Sequence, residues 1–385
     1  MLATPAKWLD TIFDQPASLR SMAILRIVLG PAAIWHLRPF LQDALAGTTY
    51  LDVFQQKWWP WVPNVPAGLY VAILWVGVAC AVLMTVGLWA RPATWVTLTV
   101  VAYNFFLSET HFRHNRAFLI ILLAGVALSN NAKVLSVDAL RLRRRHNQRS
   151  ADRLHQGALG LGAVGLGAVG LGAVDLGAVR PDPNDQGFVW PIWLLRFEAA
   201  AISFASGFSK LIDPDWVSGR VLHDRTLRYQ DDAMSVLGET LGNPILEVLT
   251  SRTFHWVLSP MAVATELFIA CGLWFRRTRL FAVWVAVAFH LGIEISAQVE
   301  VFSAIAIGAL VIWVTPSTRD RNLITPHRWV KWLDWTARFN ITVVPGSSWC
   351  VTDRNNTQLE GSAARSFVFS RLPATFLFSR FWRFR

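Results

Sequence analysis

A chain of 385 residues that is 54% hydrophobic and only 16% charged, with 20 Trp and 24 Phe, is too apolar for a soluble protein of its length. Its net charge of +11 does not mark a nucleic-acid binder, because the basic residues collect in short connections between apolar runs. The cysteines, Cys80, Cys271 and Cys350, lie far apart with no CxxC pair, which argues against thiol redox chemistry.

Residues 1–20 read as a cytoplasmic N-terminal segment, since about twenty polar and amphipathic residues precede the first apolar run and no small-residue cleavage pattern is present. Eight runs then approach the ~20 residues that cross a bilayer as helix, at roughly 21–38, 68–90, 93–108, 115–130, 188–210, 255–275, 280–298 and 300–315. The expected fold is an all-α integral membrane protein, a polytopic bundle of about eight transmembrane helices within residues 21–316, the shorter ones tilted or covered by protein. Arg91, the block Arg141, Arg143, Arg144 and Arg145, then Arg276, Arg277 and Arg279, then Arg319 and Arg321 fall on alternate connections. The opposite connection 39–67 holds Lys57 as its only cation. A multi-pass cell-membrane protein with both termini cytoplasmic satisfies the positive-inside rule at almost every loop.

Residues 141–187 form a basic and glycine-rich insert, RLRRRHNQRSADR followed by GALGLGAVGLGAVGLGAVDLGAV. A glycine every two or three residues disfavours a helix, and a ninth span at 157–179 would invert every later loop against its charges, so a cytoplasmic insert is expected. Residues 317–385 read as a basic, irregular C-terminal tail ending RFWRFR, either lying on an anionic membrane face or disordered. Tryptophans at predicted boundaries, as in KWWPW (57–61) and at Trp190, Trp193 and Trp216, suit an interfacial belt.

Against this background the stretch SGFSKLIDPDWVSG (206–219) is unusual, because it keeps Lys210 in a chain with five lysines and 31 arginines. A desolvated lysine can release its proton, whereas arginine cannot. The expected topology puts Lys210 at the outer end of the fifth run, His111 and His114 in the outer loop opening the fourth, and His290 in the outer half of the seventh. Glu294 follows one turn beyond His290 on the same face. These groups converge on the extracytoplasmic side, and one outer cavity should gather Lys210, His114 and His290. Each has a structural alternative: a snorkelling lysine, a loop histidine, a satisfied core histidine. Glu266 and Arg26 read as structural, pairing between helices or snorkelling. A catalytic Lys210 calls for apolar surroundings and no close carboxylate, with Asp213 and Asp215 pointing away; a snorkelling one should pair with one of them. The histidine boxes of membrane desaturases are absent, so no metal is expected.

Together these stretches resemble the horizontally transferred transmembrane (HTTM) family, whose best-known member is the vitamin K-dependent gamma-carboxylase. The resemblance is carried by SMAILRIVLG, by HNRAFLIILLAGVALSNNAKVLSVDAL, by WLLRFEAAAISFASGFSKLIDPDWVSG and by FHLGIEISAQVEVFS, over roughly residues 15–316. It implies that Lys210 is the catalytic base, with His114 and His290 in the catalytic core, and it brings His111, Trp216, Glu294 and Phe302 to the quinone and substrate as weaker candidates. The implied reaction is oxygenation of a reduced naphthoquinone (menaquinone or vitamin K hydroquinone) by O2 to the epoxide, coupled to proton abstraction from a Glu-containing peptide or protein that then takes up CO2. Membrane lipid and the lipid quinone are the implied partners, and nucleic acid is not. The carboxylase's large lumenal domain has no counterpart after residue 316, so the quinone half of the chemistry transfers more directly than protein carboxylation. Two other readings stand beside it: a non-enzymatic family relative acting as a membrane partner in peptide export or immunity, and, less well supported, a transporter, for which no inverted repeat is seen.

Overall fold

The computed structural model describes residues 17–47, 57–145, 148, 186–187, 190–228, 230–297, 301–316 and 321–381; the Gly-rich repeat, and the expectation placed on 157–179, lies outside the described residues. Each of the eight apolar runs is helical. In chain order the helices are α1 (Arg20–Ala46), α2 (Ala67–Val86), α3 (Ala90–Phe106), α4 (His114–Leu128), α5 (Trp190–Leu211), α6 (Arg220–Arg228), α7 (Gln230–Leu249), α8 (Arg252–Gly272), α9 (Arg279–Ala297), α10 (Phe302–Ala309) and α11 (Val311–Val314). Among the described residues α1, α2 and α8 are long and apolar enough to cross a membrane, and α4 and the α10–α11 segment are shorter apolar helices. Helix is what such runs must form in hydrocarbon, where a single segment satisfies its own backbone only that way.

The packing is that of a membrane-associated bundle. Helix α2 turns Trp75, Val76 and Val82 outward while burying Leu74, Ala81 and Met84, so its outer face suits lipid and not water. Trp58, Trp59 and Trp61 are likewise exposed. Helix α1 packs against α2, α4, α10 and α11, and α5 against α8. A continuous core runs through Leu25, Leu29, Leu119, Leu122, Leu195 and Ile305.

Three polar clasps fix this bundle. Fully buried Arg26 donates to the carbonyls of Met84, at 2.5 Å, and Leu135, at 2.6 Å, so it joins α1 to the end of α2 and the turn beyond α4. This is the structural role expected of it. In the Ser-Val-Asp segment 136–138, Asp138 accepts the backbone N–H groups of Trp89 (3.1 Å) and Ala90 (2.8 Å), satisfying orphan donors at the start of α3. Arg196 donates twice to the Ile312 carbonyl, from Nε at 3.0 Å and Nη2 at 2.6 Å, and lies over the Trp313 ring.

Residues 321–381 correct two expectations, the irregular tail and the all-α fold. They build a four-stranded sheet from β1 (Asn322–Thr325), β2 (Asn340–Val343), β3 (Cys350–Thr352) and β4 (Gln358–Glu360), in the order β2-β1-β3-β4. The β1–β2 pair is parallel and the other pairs are antiparallel. Helix α12 (Gly361–Phe369) covers the sheet, and Leu323, Phe339, Trp349, Val351, Ala364, Val368 and Leu372 form a core separate from that of the bundle. Asp334 accepts from the N–H groups of Arg338 (2.8 Å) and Phe339 (2.9 Å), which sets the entry to β2, and burial holds its carboxyl above the usual carboxylate range. The unit docks onto one end of the bundle. Arg20 Nε donates to Trp335 O at 2.8 Å, Arg338 donates to Val314 O, and Trp284 Nε1 donates to Pro373 O at 2.9 Å. That end is where α1 and α9 begin and α11 stops.

Candidate functional site

The site begins with a glycine. A Cβ at Gly207 would lie 3.1 Å from Glu266 Cβ and 3.1 Å from the Leu267 side chain, tighter than ordinary van der Waals contact, so glycine at 207 eases the close approach of α5 to α8. One turn away, this approach brings Lys210 Nζ within 2.6 Å of Glu266 Oε1. Ser206 Oγ donates to the same carboxylate oxygen at 3.0 Å and accepts from Lys210 Nζ at 3.0 Å, which closes a three-membered polar cluster. The Lys210 side chain is 19% exposed and that of Glu266 8%, and Glu266 Oε2 is buried with no hydrogen-bond partner.

The chain after α5 roofs this cluster. Asp213 accepts the Asp215 N–H at 2.9 Å and Pro214 opens a single helical turn, which carries the Trp216 ring to 4.9 Å from Lys210 Nζ. Ser259 donates to Trp216 O and ties the turn to α8. Gly219 ends it at φ +80°, where a Cβ would also collide with the His255 carbonyl; both demands require glycine. Thus Asp213 and Asp215 do point away from Lys210, the second pairing with Arg220 at 3.3 Å. The accompanying expectation of no close carboxylate is overturned, because a carboxylate from α8, 56 residues further on, fills that place. Trp216, which would fit a belt, lies under the ammonium instead.

His290 comes from α9. Its Nδ1 is buried without a partner, and its ring meets Phe302 at 5.4 Å and Phe289 at 5.8 Å. Phe302 in turn meets Phe118 of α4 at 6.4 Å. His290, Phe302, Phe118, Ser203 and Trp313 line a narrow cavity of about 40 Å³; Lys210 and His114 do not line it, so the expectation that one cavity gathers all three is not met there. Glu294 forms no hydrogen bond with His290, and its Oε2 is buried and unpartnered.

The other two histidines lie elsewhere. His114 is the first residue of α4, exposed, with its ring against Phe112 at 5.2 Å, and it does not line this cavity; Phe118 is what α4 contributes there. His111 belongs to a separate cluster: its Nδ1 lies 2.7 Å from Asn104 O, its ring 5.0 Å from Phe40, and Arg116 donates to its carbonyl at 3.0 Å. Burial pushes the His111 imidazole below its ordinary value, against the opposing effect of the Asn104 carbonyl, and the Arg116 charge adds to the lowering. Asn104 accepts from Tyr70 at 2.6 Å, and the nearby His36 is buried with Nε2 unpartnered.

From the sequence, Glu266 reads as a pairing residue between helices and not as part of the site. The signal that pointed to it, an ionisable residue in the middle of an apolar helix, was present. A family model described as HTTM domain matches residues 14–153 and 158–317. No curated protein and no solved structure matches the chain.

Proposed function

The chain belongs to the HTTM domain family, and on that premise we propose that it is a multi-pass membrane enzyme in which Lys210 deprotonates a reduced lipid quinone. The observation that carries this reading is the pair between Lys210 and Glu266, 2.6 Å apart and largely removed from water. In a low-dielectric setting the ammonium–carboxylate form and its neutral tautomer approach one another in energy. Moving one proton from Nζ to Oε1 leaves a neutral amine. That amine accepts the proton of a quinol hydroxyl and becomes an ammonium again, placed to stabilise the deprotonated oxygen. One proton passes from substrate to the pair and no electron moves. A reduced naphthoquinone such as menaquinol would supply the electrons for the subsequent reaction with O2. Epoxidation of the ring, and carboxylation of a glutamate-bearing substrate with CO2, are the outcomes the family suggests.

The cavity beside His290 has the apolar and aromatic lining that a quinone ring favours, but its ~40 Å³ holds a few waters and not a bicyclic ring. The ring therefore approaches Lys210 from the lipid side, where Phe208, Leu211 and Ile212 are exposed. The full topology, eight spans with both termini cytoplasmic and this site on the outer side, belongs to the same proposal. A second reading has an observation of its own: at Gly207 α5 packs closely on α8, so the pair ties the two helices together, the role a non-enzymatic relative would need. Purified protein given reduced menaquinone, oxygen and labelled bicarbonate, with epoxide and fixed carbon scored separately, tests both. Epoxide from the wild type and none from Lys210→Arg supports the base; no epoxide from either leaves the pin.

A further inference from the structure

The folded unit at 321–381 carries a groove of about 640 Å³ that the reaction does not use. Its lining includes Arg328, Lys331, Trp332, Ile341 and Val343. Two of these are cations and no carboxylate is among the lining residues. The unit's acids are engaged elsewhere: Asp334 is buried on backbone N–H groups, Asp353 pairs with Arg321 at 2.7 Å, and Glu360 lies on β4 at the opposite edge of the sheet.

The backbone adds donors to those cations. Strand β2 is an edge strand whose Asn340 N–H bonds to Arg321 O, at 2.8 Å, while the following Val344 N–H bonds to Thr325 O, at 3.1 Å. Alternate residues of a parallel ladder donate to the same neighbour, so the N–H groups of Ile341 and Val343, two of the residues that line the groove, face away from β1 at the open edge of the sheet. Beside them Trp332 is 84% exposed, and Trp329 and Trp335, three residues to either side, are exposed as well. Such tryptophans sit at the headgroup level of a bilayer, and here the depth is fixed by contacts to the apolar helices. Arg20 at the start of α1 holds Trp335, one turn beyond Trp332, and Arg338 holds the last residue of α11. The groove therefore lies at the membrane surface.

We infer that this groove binds the phosphate headgroup of an anionic phospholipid, with Arg328 and Lys331 as counter-charges, the β2 edge amides as donors, and Trp332 inserted among the acyl-chain carbonyls. The site is independent of the Lys210 chemistry. Native mass spectrometry of the full chain in non-ionic detergent tests it, with phosphatidylglycerol, phosphatidylcholine, inorganic phosphate and a Glu-rich peptide as separate additions. Phosphatidylglycerol should be retained in preference to phosphatidylcholine. The Arg328→Gln/Lys331→Gln protein should bind it roughly 30-fold more weakly, the combined effect of two cations near an anionic surface. The charge-preserving Arg328→Lys/Lys331→Arg protein should bind it normally. Thermal midpoints without lipid, unchanged in both variants, show that the fold is intact. Equal retention of the two lipids, undiminished phosphatidylglycerol binding by a folded double Gln variant, full displacement by inorganic phosphate, or preferential capture of the peptide along the strand edge would each overturn the assignment.

Discussion

Glu266→Gln separates the two readings of the polar cluster most sharply. At 2.6 Å the attraction between Lys210 and Glu266 is about 6 kcal/mol in a medium of effective dielectric near 20, most of it offset by the desolvation of both groups. Breaking a fully buried pair from one side costs roughly 3–5 kcal/mol. Here Lys210 retains 19% exposure and glutamine keeps an oxygen for Ser206 and Lys210, so the expected loss is about 2 kcal/mol, or roughly 2–3 °C in thermal midpoint for a chain of this length. The proton chemistry should suffer far more, because the glutamine cannot take the Lys210 proton: quinol oxidation should fall by about 100-fold or more. Lys210→Arg should show the complementary pattern. Its guanidinium keeps the ion pair and the cation over Trp216, so stability stays within about 1 kcal/mol of wild type, yet it cannot release a proton. The measurements are a detergent thermal melt and an epoxide assay on the same preparations. A folded Lys210→Arg protein with full activity, or a Glu266→Gln protein that is unchanged in both assays, would refute the proton-sharing account.

Further outcomes follow from other parts of the chain. Gly219→Ala places a Cβ at φ +80° against the His255 carbonyl and should cost about 2 kcal/mol, while detaching the Trp216 roof, visible as a lowered melt and a weakened response to Lys210 substitution. His111 has a folded pKa below the unfolded 6.5, so its contribution to stability is complete above about pH 6.5 and is lost as pH falls from there toward the folded value; melts at pH 7.5 and 5.0 should diverge less for His111→Gln than for wild type. Cysteine labelling in intact cells should find 39–67 accessible from outside and 157–179 only after permeabilisation; protection of the repeat from both sides would mean a ninth span.

The helices are legible because hydropathy is local: a run of apolar residues in hydrocarbon satisfies its own backbone only as helix, and each of the eight runs is helical, the last as the two short helices α10 and α11. Rotation and length of contact were not local. His114 and Phe118 share a helical face, but His114 sits a turn nearer the helix end, where it meets Phe112, and Phe118 reaches the neighbourhood of His290 through Phe302. The strands at 322–360 are not legible in the sequence because each has only three or four residues, too few for alternation to stand out, and their core depends on Val368 and Leu372, which come after the last strand. The Ser-Val-Asp segment was read as a family feature, and its physical cause, a carboxylate capping the start of α3, needs the fold to be seen.

The choice of lysine at 210 is itself informative once the other cations are placed. Arg26 and Arg196, buried cations that hold helices together, each make two hydrogen bonds to the backbone, Arg26 to two carbonyls and Arg196 to one, which a guanidinium's fixed set of donors does well. Pinning α5 to α8 would be served at least as well by arginine, whose fork matches the two oxygens of Glu266 and would satisfy the Oε2 that is now orphaned. The lysine leaves that oxygen unpaired and spends its contacts on one carboxylate oxygen, one hydroxyl and the face of an indole. As a structural pin this is an inferior solution. As a proton-transfer pair it has the feature arginine lacks, an acid that can exist without its proton, held 2.6 Å from the group that would receive it.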